Sequence, residues 1–189
     1  KVAVVTGGAR GIGRAIAKTL SANGARVFVV DIDADEAART AAKITSSTGE
    51  CVALTGDVSS LEDMAEVAET VGPADILVNN AGINTRGDRV PIHEYSVDDW
   101  RRITQVDLDG VFITSRAIIP GMLERGGGRI VNISSVAGIV PLRLQSAFVA
   151  AKAGVVNLTK SMALELGPQG ILVNAVAPGS TLTDGTKAL

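Results

Sequence analysis

The sequence is poor in the residues that several functional classes need. Among 189 residues there is one cysteine, one histidine, one tyrosine and one tryptophan, and aromatic residues make up 3%. The lone cysteine, Cys51, rules out an internal disulfide framework and fits a reducing cytoplasm. One histidine and one cysteine are too few for a dedicated zinc site, so no metal is expected. Lys and Arg total 18 against 20 Asp and Glu, a formal net charge of -2, which gives no basic surface for nucleic acid. No apolar run approaches the ~18 residues that a membrane span needs. No basic, apolar and small-residue succession marks a signal peptide. The chain opens at Lys1, directly inside an apolar strand and without a starting methionine, which reads as a trimmed N-terminus.

What is abundant is apolar sequence, 46% of the chain, and glycine, at 21 residues. That is enough for one domain with a sizeable core. Short apolar runs at 2–5, 26–30, 52–54, 76–78, 130–133 and 172–176 alternate with helical patterns at 14–22, 35–45, 61–71, 97–125 and 147–166. Most of the runs are continuous rather than alternating, as in strands buried on both faces of a parallel sheet. The alternation predicts an α/β fold with a three-layer, doubly wound, Rossmann-like parallel sheet and helices on both faces. Pro120 is expected to kink or divide the long helix at 97–125. No repeat, low-complexity tract or interdomain linker is visible.

The first strand runs into Thr6-Gly7-Gly8-Ala9-Arg10-Gly11-Ile12-Gly13 and then a helix. Glycines there allow a tight turn and close approach of backbone to a phosphate, and a helix N-terminus supplies amides for an anion. Placement between the first strand and first helix makes the motif much stronger than glycine content alone. Asp31 ends the second strand, 18 residues after Gly13. A carboxylate there can bind the ribose 2′-hydroxyl of NAD and repel the 2′-phosphate of NADP. Arg10 pulls the other way, since its guanidinium can grip that phosphate. Asp31 is the better placed, so NAD is expected over NADP.

With these motifs the sequence resembles the short-chain dehydrogenase/reductase family over nearly its whole length. Thr6-Gly7, Gly11 and Gly13 match the family's cofactor turn. Asp57-Val58 resembles its adenine contact, and Asn79-Asn80-Ala81-Gly82 its NNAG motif. Ile133-Ser134-Ser135 looks like its serine motif, Lys152 matches its lysine, and Pro178-Gly179 looks like its nicotinamide-side turn. The resemblance implies a cofactor site drawn from Gly7, Arg10, Gly11, Ile12, Gly13, Asp31, Asp57, Val58, Asn80, Ala81, Gly82, Lys152, Pro178 and Gly179. It also implies a substrate-covering helical segment and a seventh strand, neither of which is found in this chain, and a longer third helix. Either the natural protein is truncated or it has a lid and loop residues beyond this sequence; the second is expected, because losing the seventh strand would leave an apolar edge exposed. Family members pair their fourth and fifth helices across a two-fold axis, so a homodimer or homotetramer is expected.

The resemblance further implies a catalytic set. A tyrosine moves the proton, and a lysine four residues on lowers its pKa and holds the nicotinamide ribose. A serine thirteen residues before the tyrosine binds the substrate oxygen, and a helical asparagine supports a water path. In this sequence Ser135 and Lys152 match, Phe148 occupies the tyrosine position, and Asp107 the asparagine position. Phenylalanine cannot carry a proton, and loss of a positioned acid/base typically costs about 10²–10⁴-fold in rate. Asp107 can still bind water but adds charge near Lys152. The one tyrosine, Tyr95, precedes Ser96-Val97-Asp98-Asp99, a helix cap with an acidic first turn, and reads as a hydrophobic staple. His93, Arg86 and Arg89 read as loop residues beside the substrate pocket. The expected function is NAD-linked interconversion of a secondary alcohol and a ketone, with the proton in a natural Phe148 protein carried by Ser135 or a Lys152-linked water. A second reading is a catalytically silent NAD-binding interaction protein.

Overall fold

The computed structural model describes residues 1–85 and 89–182. Six strands alternate with helices: β1 Val2–Thr6, α1 Gly11–Ala22, β2 Arg26–Asp31, α2 Ala34–Thr45, β3 Cys51–Thr55, α3 Leu61–Val71, β4 Ile76–Asn79, α4 Val97–Thr104, α5 Gly110–Glu124, β5 Gly128–Ile133, α6 Ser146–Leu166 and β6 Ile171–Val176. All strand pairs are parallel, in the order β3-β2-β1-β4-β5-β6. The order reverses between β1 and β4, so the loops after these two strands diverge to opposite sides and open a crevice at their carboxyl ends.

The continuous apolar runs are explained by burial on both faces. Val4, Phe28, Val30, Leu77 and Ile130 point into a core with Met64, Ile118, Met122 and Met162 of α3, α5 and α6. Their neighbours Ala3, Val5, Val27 and Val29 point into a second core with Ala17, Ala37, Ala41 and Ile44 of α1 and α2. Successive strand residues thus alternate between two cores rather than between core and water.

Asp33 caps α2, Ser60 caps α3 and Ser96 caps α4 through side-chain oxygens, and each of these helices has two acidic residues in its first turn. Those carboxylates complement the positive helix end. α1 has neither a side-chain cap nor an acidic residue in its first turn, so its N-terminal amides face the crevice without a side-chain acceptor.

The helix expected at 97–125 is interrupted, but not at Pro120. α4 ends at Thr104, a π-helical turn spans Gln105–Asp109, and α5 runs unbroken through Pro120 to Glu124. Proline there forfeits one backbone hydrogen bond, and the burial of Ile118 and Met122 on either side holds the helix regardless. The π turn is the wider insertion that sequence periodicity does not signal, and such turns cluster at functional sites. It carries Asp107 into the interior.

One polar chain crosses the apolar centre. Asn79 Nδ2 donates to Ser115 Oγ at 2.9 Å and to Asn132 Oδ1 at 2.8 Å, and Asn132 Nδ2 donates to Thr159 Oγ1 at 2.9 Å. Thr159 in turn donates to the Val155 carbonyl at 2.7 Å. This ties β4 and β5 to α5 and α6, the elements that bear the catalytic candidates.

Candidate active site

The glycine turn and the NNAG loop are locked together. Thr6 Oγ1 accepts from the amides of Asn80 and Ala81 at 3.0 and 3.1 Å. Asn80 Nδ2 donates to the carbonyls of Thr6 and Gly7, each at 3.0 Å. The fit is close enough to demand glycine. A Cβ on Gly7, whose φ is +59°, would lie 2.7 Å from the Ala81 Cα, and one on Gly13 would strike the Gly7 carbonyl. Thr40 Oγ1 braces the same turn by donating to the Ala9 carbonyl at 2.7 Å.

Asp31 stands at the end of β2 against this turn. Its carboxylate accepts from the amides of Ala9 and Asp33, both at 3.1 Å. Arg10 is turned outward: its guanidinium pairs with Asp33 and lies 4.0 Å from Glu36. Its expected grip on a phosphate therefore competes with two carboxylates. Asp57 Oδ1 accepts from the amide and hydroxyl of Ser59 at 2.8 and 2.7 Å, shaping the turn into α3. Val58 is buried, and Gly110 gives it room, since a Cβ there would come within 2.7 Å of Val58 Cγ2.

The catalytic candidates gather after β5. Ser135 caps a short 3-10 turn, Val136–Gly138, by accepting from the Ala137 amide at 3.1 Å, which leaves its hydroxyl proton free to donate. The Pro178-Gly179 turn is stitched to this segment: the Ser134 amide donates to the Val176 carbonyl at 2.8 Å and the Val136 amide to the Pro178 carbonyl at 3.0 Å. Lys152, on α6, is held at both ends. Its carbonyl accepts from Ser134 Oγ at 2.8 Å, and its Nζ donates to the Ile133 carbonyl at 3.4 Å. Phe148 lies one turn earlier on α6, its ring centroid 5.7 Å from Lys152 Nζ. The four-residue spacing read from the sequence thus becomes a real juxtaposition.

Asp107 lies closer to Lys152 than sequence reasoning required. Its Oδ2 is 3.0 Å from Nζ, and the side chains are 0% and 7% exposed. Oδ1 accepts from the Ile83 amide at 2.7 Å, whereas Oδ2 has no aligned hydrogen bond and is one of the few buried side-chain oxygens without one among the described residues. Gly82 permits the pair: a Cβ there would sit 3.0 Å from Oδ2 and 3.1 Å from Nζ. Burial pushes the Asp107 carboxyl above the usual carboxylate range, against the opposing pull of Lys152, the Ile83 amide and Arg102.

The remaining candidates have no hydrogen bond or ion pair with this group among the described residues. Tyr95 shares a hydrogen bond of 2.9 Å with Thr85 Oγ1. His93 is exposed beside Glu94, Arg89 is exposed, and Arg86 lies outside the described residues. A cavity of about 620 Å³ is lined by Gly11, Ile12 and Leu20 of α1, with Pro178. Ser135, Phe148 and Lys152 do not line it. Sequence reasoning missed Thr40, Ser115, Asn132 and Thr159, and named Ser134 only as part of the serine motif. Asn132 alone gave a signal, as a polar residue inside an apolar strand.

The family model described as short chain dehydrogenase matches residues 1–189. Trans-4-hydroxycyclohexanecarboxylate dehydrogenase of Sinomonas cyclohexanicum is 43% identical over 199 aligned positions, covering 100% of this chain and 75% of that protein. D-beta-hydroxybutyrate dehydrogenase of Rhizobium meliloti (strain 1021) is 40% identical, covering 97% of this chain and 72% of its own length. Among solved structures, a candidate NAD(P)-dependent gluconate 5-dehydrogenase from Beutenbergia cavernae, with NADP bound at low occupancy, superposes with a TM-score of 0.92 at 39% identity, covering 100% of this chain and 75% of that one. The chain belongs to the short-chain dehydrogenase family and is an oxidoreductase of the NAD(P)-binding kind.

The elevated Asp107 carboxyl has a consequence for stability. A carboxyl whose folded pKa is raised favours the folded state below its unfolded value, and that contribution is lost as pH rises through the folded value. The melting temperature of the cofactor-free protein, minus that of Asp107→Asn, should therefore fall as pH rises from about 4 towards about 8. A difference that stays constant over this range would show that Asp107 titrates alike in both states.

Proposed function

We propose that this protein interconverts a secondary alcohol and a ketone by hydride transfer with NAD, at a rate limited by Phe148. The observation that carries the reading is the placement of the Phe148 ring 5.7 Å from Lys152 Nζ, with the Lys152 carbonyl held by Ser134, the residue before Ser135. The described residues suit a dinucleotide. The uncapped, acid-free N-terminus of α1 suits a pyrophosphate, with Gly7, Gly11, Ile12 and Gly13 keeping the backbone open to it. Asp31 meets the adenosine ribose, Asp57 and Val58 the adenine, Asn80, Ala81 and Gly82 the middle of the molecule, and Pro178 and Gly179 the nicotinamide side. Bound NAD or NADH takes up or supplies the hydride. Lys152 holds the nicotinamide ribose, Ser135 donates its hydroxyl proton to the substrate oxygen, and the Phe148 ring packs against the substrate. Asp107 holds the Lys152 ammonium in place.

We take the 189 residues as one dinucleotide-binding unit. β6 is an edge strand, and its outward backbone groups support a seventh strand pairing there. The lone, buried Cys51 supports a cytoplasmic setting, and no helix among the described residues is long and apolar enough to cross a membrane.

Cofactor choice follows from Asp31 and from the carboxylates that occupy Arg10. NADH should bind at least about tenfold more tightly than NADPH, ~1.4 kcal/mol. Titration calorimetry with both cofactors measures this. Equal affinities would mean that Arg10 leaves Asp33 for the phosphate.

Assembly follows from exposed apolar side chains on α5 and α6, among them Phe112 at 54% and Leu164 at 81%. These faces support at least a dimer. Sedimentation should give no less than twice the single-chain mass at micromolar concentration, and a single-chain mass would remove this part of the proposal.

Phe148→Tyr restores a phenol beside the Lys152 ammonium. It should raise turnover of a suitable secondary alcohol or ketone by about 10²-fold or more, while the NAD dissociation constant changes by less than about threefold. Adding Lys152→Ala should remove most of the gain. If neither form turns over any alcohol or ketone while NAD still binds, the silent NAD-binding reading replaces this one.

A further inference from the structure

Two loops that adjoin the catalytic candidates are joined by one polar contact. The first follows the NNAG motif. Gly82 lies against both members of the Lys152–Asp107 pair, and the Ile83 amide donates to Asp107. The next residue, Asn84, is held twice: its Oδ1 accepts from the Thr85 amide at 2.8 Å, and its carbonyl accepts from Arg102 Nη2 at 2.9 Å. That leaves Nδ2, which donates to Gln145 Oε1 on the second loop at 3.5 Å.

Gln145 stands immediately before α6, three residues ahead of Phe148. Its carbonyl accepts from the Val149 amide at 3.0 Å, so Gln145, Phe148 and Val149 share one side of the helix start. Gln145 is 6% exposed, and its Nε2 has no partner among the described residues. Leu144 before it has a φ of +62°, the left-handed backbone that leucine avoids. Such strain persists only where the surrounding structure holds it, and it clusters at ligand sites. A separation of 3.5 Å is at the outer limit for an amide donor, so a better acceptor can take its place. An oxygen set between the two side chains can accept from Asn84 Nδ2 and Gln145 Nε2 together.

The charges nearby select which kind of oxygen. The Lys152 ammonium is already matched by Asp107 at 3.0 Å, and Arg102 by Asp99 at 2.7 Å. Arg143, two residues before Gln145, is exposed. A carboxylate beside Gln145 would leave water without an unmatched buried cation to meet it among these residues, which is costly. A hydroxyl or carbonyl carries no such cost once its hydrogen bonds are made. The segment between Ser135 and Gln145 also exposes Val136, Ile139, Val140 and Leu142, a surface that an apolar skeleton can cover.

We propose that Asn84 and Gln145 are specificity-determining residues, and that the substrate is an apolar ketone or secondary alcohol bearing a second, neutral oxygen, a hydroxyl or a carbonyl. The two amides bind that second oxygen while the reacting oxygen lies at Ser135. The inference rests on the alcohol/ketone reading above.

The test is the reduction of matched ketones with saturating NADH: cyclohexanone, its ring-hydroxylated derivatives and the oxocyclohexanecarboxylates. The unaltered chain and Phe148→Tyr are both assayed. In whichever form turns over, kcat/KM for at least one hydroxy ketone should exceed that for cyclohexanone and for every carboxylate by about tenfold or more. Gln145→Leu, which keeps the bulk of the side chain, should bring the ratio of hydroxy ketone to cyclohexanone close to one, chiefly through a higher KM for the hydroxy ketone. The NADH dissociation constant should change by less than about threefold. Asn84→Ala should act in the same direction and serves as the second variant, should Gln145→Leu fail to fold. A purely structural role would lower both rates alike and leave the ratio unchanged. No preference for a hydroxy ketone, a preference for a carboxylate, or a preference that survives both substitutions overturns the inference alone. No turnover of any ketone by either form while NADH still binds overturns the alcohol/ketone reading, and the inference with it.

Discussion

The four hydrogen bonds between Thr6 and Asn80 and their backbones are the constraint on which the site depends. β1 and β4 are neighbours in the sheet, but their outgoing loops belong to helices on opposite faces. Without a tie, the two loops would drift apart at the point where a ligand must be held. The Thr6 hydroxyl accepts from one loop and the Asn80 amide donates to the other, so the crevice has one width. The glycines at 7 and 13 follow from that closeness, since a side chain at either would strike the opposing loop.

The same logic, one strand further along, governs the catalytic side. Asn79 and Asn132 join β4 to β5 and reach α5 and α6 through Ser115 and Thr159. These helices bring Lys152 against the end of β5, where Ser134 binds its carbonyl and Ile133 its ammonium. Lys152 is thereby fixed by hydrogen bonds rather than by the packing of a long flexible chain alone. The buried polar network is costly to break, although Asn79 Oδ1 has no hydrogen bond among the described residues. It therefore specifies one relative placement of sheet and helices, and the site inherits that precision.

Two departures from the family pattern meet in one place. Phe148 removes a hydroxyl, and Asp107 introduces a carboxylate where the resemblance implies a neutral amide. They lie near the same ammonium, with Phe148 5.7 Å from Nζ and Asp107 at 3.0 Å. The lysine's neighbours thus include an apolar ring and a carboxylate, where the resemblance implies a phenol and an amide.

The layer order and all six strands were legible in the sequence, because strands buried on both faces must be continuously apolar and helices between them must be amphipathic. The positions of the glycine turn, Asp31 and Ser135 at strand ends, and of Lys152 on a helix, were legible too, from short-range spacing. The division of the 97–125 segment was not. A π turn changes the hydrogen-bond register without changing residue type, so the proline was the visible signal and the wrong one. Nor could the sequence place the Arg10 guanidinium on Asp33, or Asp107 against Lys152, because those partners are 23 and 45 residues apart in the chain and meet only when the sheet has been assembled. The chain's own order of residues determined which elements form and which motifs stand at their ends. Only tertiary structure decided which charges became neighbours, because burial and through-space distance set the energy of a charge, and neither is a local property of sequence.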